Sequence, residues 1–341
     1  MMKAIVKTAR QAGHLELREM ELPQPQAGEV RVRVRAASIC GSDIHAYHYD
    51  PSYWFMTVPV VLGHEFAGVV DAVGEGVDTV KLGERVTVEA IHYCGECRSC
   101  RENNRHICER FQVIGLHKNG GFAHYVCVPQ QFIHPLPAEL KLEQAAVVEP
   151  LSIAVHAVYD RLKAERGQTV AVFGPGPIGM FTAQVLKSAG YIPVLFGIDS
   201  DEKTRLPAAR ALGIATVNLS QGIQEALSGL GIERFDHAVD CSGSSQAVEQ
   251  GLAVLKKGGS LTLVGLFKDR ADIDFSQLVR NEISLVGSYS STSANYHEAI
   301  RLLVDGEVRV DNLLTYYPLE EYEQAFQEAM DKNCIKPVLL M

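Results

Sequence analysis

The sequence predicts an α/β protein in two parts, a compact β-barrel half followed by a doubly wound parallel sheet. Three observations carry this. The stretch "EVRVRVRAASI" alternates Val30, Val32 and Val34 with Arg31, Arg33 and Arg35, a period of two that buries one face of a strand. Beyond Pro150, apolar runs at 170–173, 192–198, 236–241, 260–266 and 283–287 alternate with helical segments, the pattern of parallel strands joined by crossover helices. Between the first of these runs and its helix lies the glycine-rich turn "GPGPIG".

In chain order, "FAGVVDAVGEGV" and "ERVTVEA" continue the first half as short strands punctuated by glycine turns, which suits a small barrel or sandwich. The tail from about 290 to 341 returns to mixed helix and strand, with "YHEAIRLLVDG" before "IKPVLLM". A length of 341 residues accommodates two cores, and 47% hydrophobic with 21% charged residues is ordinary for a globular chain. The net charge of −9 argues against nucleic acid as a partner, because phosphate neutralisation needs clustered Lys and Arg. No long uninterrupted apolar run suggests a membrane span, and "MMKAIVKTAR" lacks the apolar core of a signal peptide. A cytoplasmic location with reduced thiols is the expectation.

"YCGECRSCRENNRHIC" places Cys94, Cys97, Cys100 and Cys108 within sixteen residues. Four thiolates at that spacing converge on one tetrahedral ion, the closed arrangement of structural zinc. A redox pair needs only two sulfurs, and a nucleic-acid finger conflicts with the acidic balance. A closed site holds a loop in shape and has no open position for chemistry.

A second set has the opposite character. "ICGSDIH" supplies Cys40, Ser42, Asp43 and His45; "VLGHEFAG" supplies His64 and Glu65; "VVEPLSIAVHA" supplies Glu149. One sulfur, one imidazole and a carboxylate make a mixed zinc site with a position left open. Zn²⁺ with a thiolate, a neutral imidazole and one carboxylate sums to zero charge, and a second carboxylate would blunt its Lewis acidity. Three protein ligands are therefore expected: Cys40, His64 and either Glu65 or Glu149. Adjacent strand residues face opposite ways, so His64 and Glu65 can share a site only where the chain bends, as Gly63 would permit.

In the glycine-rich turn, the apolar strand Val170 to Phe173 runs into Gly174, Gly176 and Gly179, and a helix follows. The first glycine allows the tight turn, the second the approach of a pyrophosphate, and the third close packing of helix on strand. Pro177 and Ile178 open that helix. Asp199 ends the next apolar strand about twenty residues past Gly179, where a carboxylate bonds a ribose hydroxyl and favours NAD. Lys203 and Arg205 follow closely and leave NADP open; a helix cap is the alternative role for Asp199.

In this order along the chain, "CGSDIH", "GHEFAGVV", the four-cysteine lobe, "EPLSIAVHA" and "GPGPIG" resemble the zinc-dependent medium-chain alcohol/polyol dehydrogenases over essentially the whole length. The resemblance is to the sorbitol, threonine and butanediol dehydrogenase branch, whose carboxylate-rich catalytic zinc suits Glu65 and Glu149. It implies a GroES-like β-barrel catalytic domain, 1–149 with 290–341 and a zinc lobe at 93–109, and a Rossmann domain at 150–289. It also implies two zinc ions per chain, NAD or NADP bound with help from Gly265, Leu266 and Ser288, and a homodimer or homotetramer formed near "EISLVGSY". Sorbitol-type enzymes carry an Arg-Tyr pair where this chain has Ser288 and Tyr289.

The implied activity interconverts a secondary alcohol (a polyol, vicinal diol, sugar acid or hydroxy amino acid) and its ketone by hydride transfer. An NADPH-dependent ketose reductase and a silent zinc-binding protein are the alternatives. Ser42, two residues past Cys40, would pass the proton to His45 and on through the cofactor ribose to solvent. Tyr47, Tyr53, Trp54 and Phe55 are candidates to wall the substrate or to pack internally. His117 and Tyr289 are pocket candidates by resemblance alone.

Overall fold

The computed structural model describes residues 1–268 and 270–341. The chain forms two compact units: Met1–Glu149 with Thr292–Val304 and Leu314–Met341, and Pro150–Ser291 with Asp305–Leu313. The segment 305–313 thus packs with the second unit, where Arg309 N donates to Gln184 Oε1 at 2.8 Å.

The first unit is built around the strand Glu29–Ser38, whose Val30, Val32 and Val34 are buried while Arg33 and Arg35 are exposed. Each buried valine contributes about 1.5–3 kcal/mol of transfer free energy. Arg31, on the polar face, pairs with Asp71 at 2.7 Å and lies over the Tyr125 ring. This strand pairs antiparallel with Glu65–Val73, with Tyr125–Pro129 and, at its C-terminal end, with Lys336–Leu340. Register shifts between Arg31 and Val32 and between Val34 and Ala36 bend the ladder, as bulges do. The sheet runs in the order Ile133–Pro135, Arg85–Val88, Glu65–Val73, Glu29–Ser38, Lys336–Leu340, Leu314–Pro318. A second sheet of Leu15–Met20, Met2–Lys7 and Val60–Val61 completes the unit with strands too short or too polar to stand out in the sequence.

The last strand of the chain therefore lies beside the strand that leads to Cys40. Val338 pairs with Ser38 and Leu340 with Ala36.

The second unit is a six-stranded, all-parallel sheet in the order Ala215–Asn218, Ile192–Gly197, Thr169–Phe173, Phe235–Asp240, Leu255–Leu263, Ser284–Gly287. Five of these strands coincide with the apolar runs. Ala215–Asn218 has no such signal, being four residues long with only Val217 and Asn218 buried. The order reverses direction at Thr169–Phe173, the switch point beyond whose carboxyl ends a dinucleotide binds in this topology. Phe173 stacks on Phe196 at 4.7 Å and Phe196 meets Phe235 edge-on at 5.7 Å, fixing the three central strands against one another. Among the described residues no helix is long and apolar enough to cross a membrane.

Close backbone packing supports the turn before Glu65–Val73. Gly63 has φ +90°, and a Cβ added at Gly120 would lie 2.1 Å from the Gly63 carbonyl oxygen. Gly120→Ala is expected to lower stability by about 2–4 kcal/mol, read as a lower urea midpoint with unchanged slope.

Candidate active site and metal centres

The strand Glu29–Ser38 passes through Ile39 into the helix Gly41–His48, with Cys40 as its N-cap. Asp43 Oδ2 accepts the Cys40 backbone N–H at 2.9 Å, which holds the turn that presents the thiol. Gly63, with φ +90°, precedes His64 and Glu65 at the start of the strand Glu65–Val73. The donor atoms of Cys40, His64 and Glu65 all lie within 4.8 Å of one another, with His64 and Glu65 buried. Glu149 enters from the first turn of Val148–Val155 and is also buried, outside that three-residue set.

Glu65 is held by one oxygen and open at the other. Its Oε2 receives Lys336 Nζ at 2.5 Å and the Ser38 hydroxyl, whereas its Oε1 is buried without a hydrogen-bond partner. Lys336 is fully buried and also donates to Ile39 O at 2.9 Å. Burial alone would depress its pKa; the Glu65 carboxylate outweighs that and raises it. Asp43 Oδ1 stands 3.7 Å from His64 Nδ1. Burial would likewise depress the His64 imidazole, but Asp43, Cys40 and Glu149 hold its pKa well above the ordinary value. Burial pushes the Glu149 carboxyl up to about 7.

This is a buried cluster with more acidic groups than fixed cations. Its donor set of one sulfur, one imidazole and one unpaired carboxylate oxygen fits a divalent zinc ion.

Ser42 Oγ lies 3.2 Å from His64 Nε2, so its hydroxyl sits at the metal-binding residues. His45 follows three residues later on the same helix face. Its Nδ1 is 2.5 Å from Asp50 Oδ2. Of the aromatic loop, Tyr53 is buried, Tyr47 packs on Phe326, and Trp54 is 72% exposed. Phe55 stacks on His117 at 5.1 Å. Tyr47 and Tyr53 are thus packing residues of the first unit.

Four sulfurs converge in the lobe: Cys94 to Cys108 is 3.5 Å, Cys97 to Cys108 3.8 Å and Cys94 to Cys100 3.9 Å, and none of the four is in a disulfide. Thiolates 2.3 Å from a tetrahedral zinc stand about 3.8 Å apart, so the cluster matches that ion without rearrangement. Backbone N–H groups aim at the sulfurs, from Cys97 to Cys94 at 3.4 Å and from Cys94 and Arg110 to Cys108 at 3.3 Å each. Those from Glu96 and Cys97 bring the Cys94 thiol down to about 6.

In the second unit the three glycines divide their roles sterically. Gly174 has φ +94°; a Cβ at Gly179 would fall 1.9 Å from Gly174 O; a Cβ at Gly176 would meet nothing within 4 Å. The open position is the one a pyrophosphate approaches, at the N-cap of the helix Pro177–Ser188, which Pro177 and Ile178 begin. Asp199 lies exposed past the end of Ile192–Gly197, with Oδ1 accepting Asn218 Nδ2 at 2.9 Å. Capping falls to Asp201 instead, whose Oδ2 accepts Ile198 N at 3.1 Å, and Arg205 pairs with Asp201 at 3.4 Å. Gly265 packs on Gly243, where a Cβ would lie 2.2 Å from the Gly243 nitrogen; Leu266 is exposed, and Ser288 is buried.

Lys336 and Ser38 are functional-site residues with no local sequence signal, because strand pairing alone brings them to Glu65. Asp50 escaped notice for a similar reason: only the turn after the helix returns it to His45.

Comparison with known proteins agrees with this geometry. Residues 26–138 match the alcohol dehydrogenase GroES-like domain and residues 177–305 the zinc-binding dehydrogenase family. The chain is 36% identical to D-arabitol-phosphate dehydrogenase of Enterococcus avium, over 99% of this chain and 97% of that one. It is 35% identical to sorbitol dehydrogenase of Halalkalibacterium halodurans, over 99% of each. The structure of a zinc-binding dehydrogenase of Sinorhizobium meliloti bound to NADP superposes with a TM-score of 0.92 at 28% identity, covering 100% of this chain and 99% of that one. The chain belongs to the zinc-dependent medium-chain alcohol/polyol dehydrogenases, with a GroES-like domain and a Rossmann domain. It is an oxidoreductase that interconverts an alcohol and a ketone with zinc and NAD(P), and its substrates are small molecules.

Cys100→Ser is expected to reduce zinc from about two ions per chain to about one, with a lower melting temperature. Lys336→Met leaves a buried carboxylate without its cation. It should cost about 3–5 kcal/mol in zinc-depleted protein and less in zinc-loaded protein, where bound metal offsets the same charge. Equal losses in the two states would mean that Glu65 does not face the metal.

Proposed function

We propose that the protein oxidises a secondary alcohol of the polyol or vicinal-diol type with NAD, using Cys40, His64 and Glu65 to hold the catalytic zinc. The observation that carries this reading is the convergence of those three donors beside the Ser42 hydroxyl. When bound there, zinc acts as a Lewis acid that makes the substrate hydroxyl easier to deprotonate.

The chain's own residues do the rest. Ser42 Oγ accepts the hydroxyl proton while passing its own to His45, which releases it to solvent. Gly176 and the helix N-terminus behind it, with Gly174, Pro177, Ile178 and Gly179, would hold the pyrophosphate of a nicotinamide cofactor, which would supply the hydride acceptor. Asp199 would meet the ribose hydroxyls and disfavour a 2′-phosphate, and Gly265, Leu266 and Ser288 would line the cofactor site. Glu149, buried near His64, would serve as the alternative carboxylate ligand to Glu65. The four-cysteine lobe carries the structural zinc. The catalytic domain is 1–149 with 290–341 and the cofactor domain 150–289. The working protein is a cytoplasmic homodimer or homotetramer.

The test is a panel of polyols, their phosphates, vicinal diols, threonine and sugar acids with NAD⁺ and with NADP⁺, followed at the reduced-nicotinamide absorbance. Turnover of a polyol or diol with NAD⁺ supports the proposal; turnover confined to ketoses with NADPH replaces it with the reductase reading. Ser42→Ala should lower kcat by about 100-fold with zinc content unchanged, and wild-type turnover in that variant would remove Ser42 from the proton path.

A further inference from the structure

The turn that closes the helix Gly41–His48 is shaped to return a carboxylate to the helix. Tyr49 adopts a left-handed conformation at φ 50°, Asp50 N donates to His45 O at 3.1 Å, and Tyr53 N donates to Asp50 O at 2.8 Å. Asp50 Oδ2 thereby reaches His45 Nδ1 at 2.5 Å. The imidazole face rests on the ring of Tyr53, centroids 5.4 Å apart and 26° from parallel. Tyr53 is buried and stacks in turn on Phe55 at 5.6 Å, which stacks on His117 at 5.1 Å. A ladder of four rings therefore limits rotation of His45 from one side while the carboxylate holds it at one edge.

We infer that Asp50 is a positioning residue for proton transfer, fixing His45 as the Nδ1–H tautomer so that Nε2 is the atom that takes and releases the proton. The argument is one of donors and acceptors. An ionised carboxylate only accepts, so a neutral His45 must place its single N–H on Nδ1 and its lone pair on Nε2. In the proton path, Nε2 gains the proton passed on from Ser42 Oγ, and the Nδ1–H···Asp50 bond stays intact. The cation so formed sits against the Asp50 carboxylate, and Nε2 then gives the proton to water. Asp50 keeps its own protonation state throughout, as the orienting carboxylate does in a Ser-His-Asp triad.

This inference rests on His45 being the proton carrier, and the experiment separates the two. In zinc-loaded protein labelled with ¹⁵N-histidine, at a pH where His45 is neutral, the signals lost in His45→Gln identify that ring. The wild type should show the Nδ1–H tautomer; Asp50→Ala should move His45 toward the Nε2–H form that an unconstrained imidazole prefers. kcat should fall about 10- to 100-fold in Asp50→Ala with KM little changed, and Asp50→Glu should recover much of both signals. Asp50→Leu, which preserves bulk without an acceptor, gives the same reading where Asp50→Ala loses its zinc. An unchanged tautomer in these variants, or a changed tautomer with wild-type kcat, overturns the inference. Wild-type turnover in His45→Gln instead removes the relay while leaving the tautomer result to stand on its own.

Discussion

The Lys336–Glu65 ion pair is the interaction on which the catalytic half of the molecule depends. A carboxylate with no exposed surface needs a partner, and one fully buried ammonium at 2.5 Å supplies it. Because Lys336 and the Ser38 hydroxyl occupy one oxygen, the other is left with a defined direction and nothing to bond. The pair also joins distant parts of the chain: Lys336 begins the last strand, and Glu65 begins the strand that pairs with Glu29–Ser38. Glu65 is thus aimed by the same contacts that complete the sheet.

Charge around this pair explains why a cation belongs there. Asp43, Glu65, Glu149 and the Cys40 thiol share a buried region with Lys336 and His64 as the opposing groups. Desolvation raises the pKa of both the Asp43 and the Glu149 carboxyl. A divalent ion held by a thiolate and a carboxylate would offset the acidic charge of this region. The four-cysteine lobe is built differently: its sulfurs converge and are oriented by backbone N–H groups, an all-thiolate set that would close the coordination sphere of one ion.

The second unit reaches its function through absence of side chains. Gly174 and Gly179 are required by contacts a Cβ would make with protein, while Gly176 faces open space. Two glycines shape the turn and one leaves room, a division that the spacing of the motif implies but only the contacts demonstrate.

The sequence by itself determined the two-part architecture and five of the six parallel strands, and it offered the glycine-rich turn, the four-cysteine run and the donors Cys40, His64, Glu65 and Glu149 as candidates. These features are local: periodicity, glycine spacing and ligand spacing are set within a few consecutive residues. Local information ran out at Ala215–Asn218, a short strand held by its neighbours, and at Asp305–Leu313, which packs with the second unit despite lying in the tail. It also left Glu65 and Glu149 equivalent as ligand candidates. In the fold the donor atoms of Cys40, His64 and Glu65 lie within 4.8 Å of one another, and Glu149 is buried outside that three-residue group. Lys336, Ser38 and Asp50 belong to the same class of information. A side chain that acts through a partner on another strand, or across a turn, has no signature in its own neighbourhood; only the folded register brings its charge into contact.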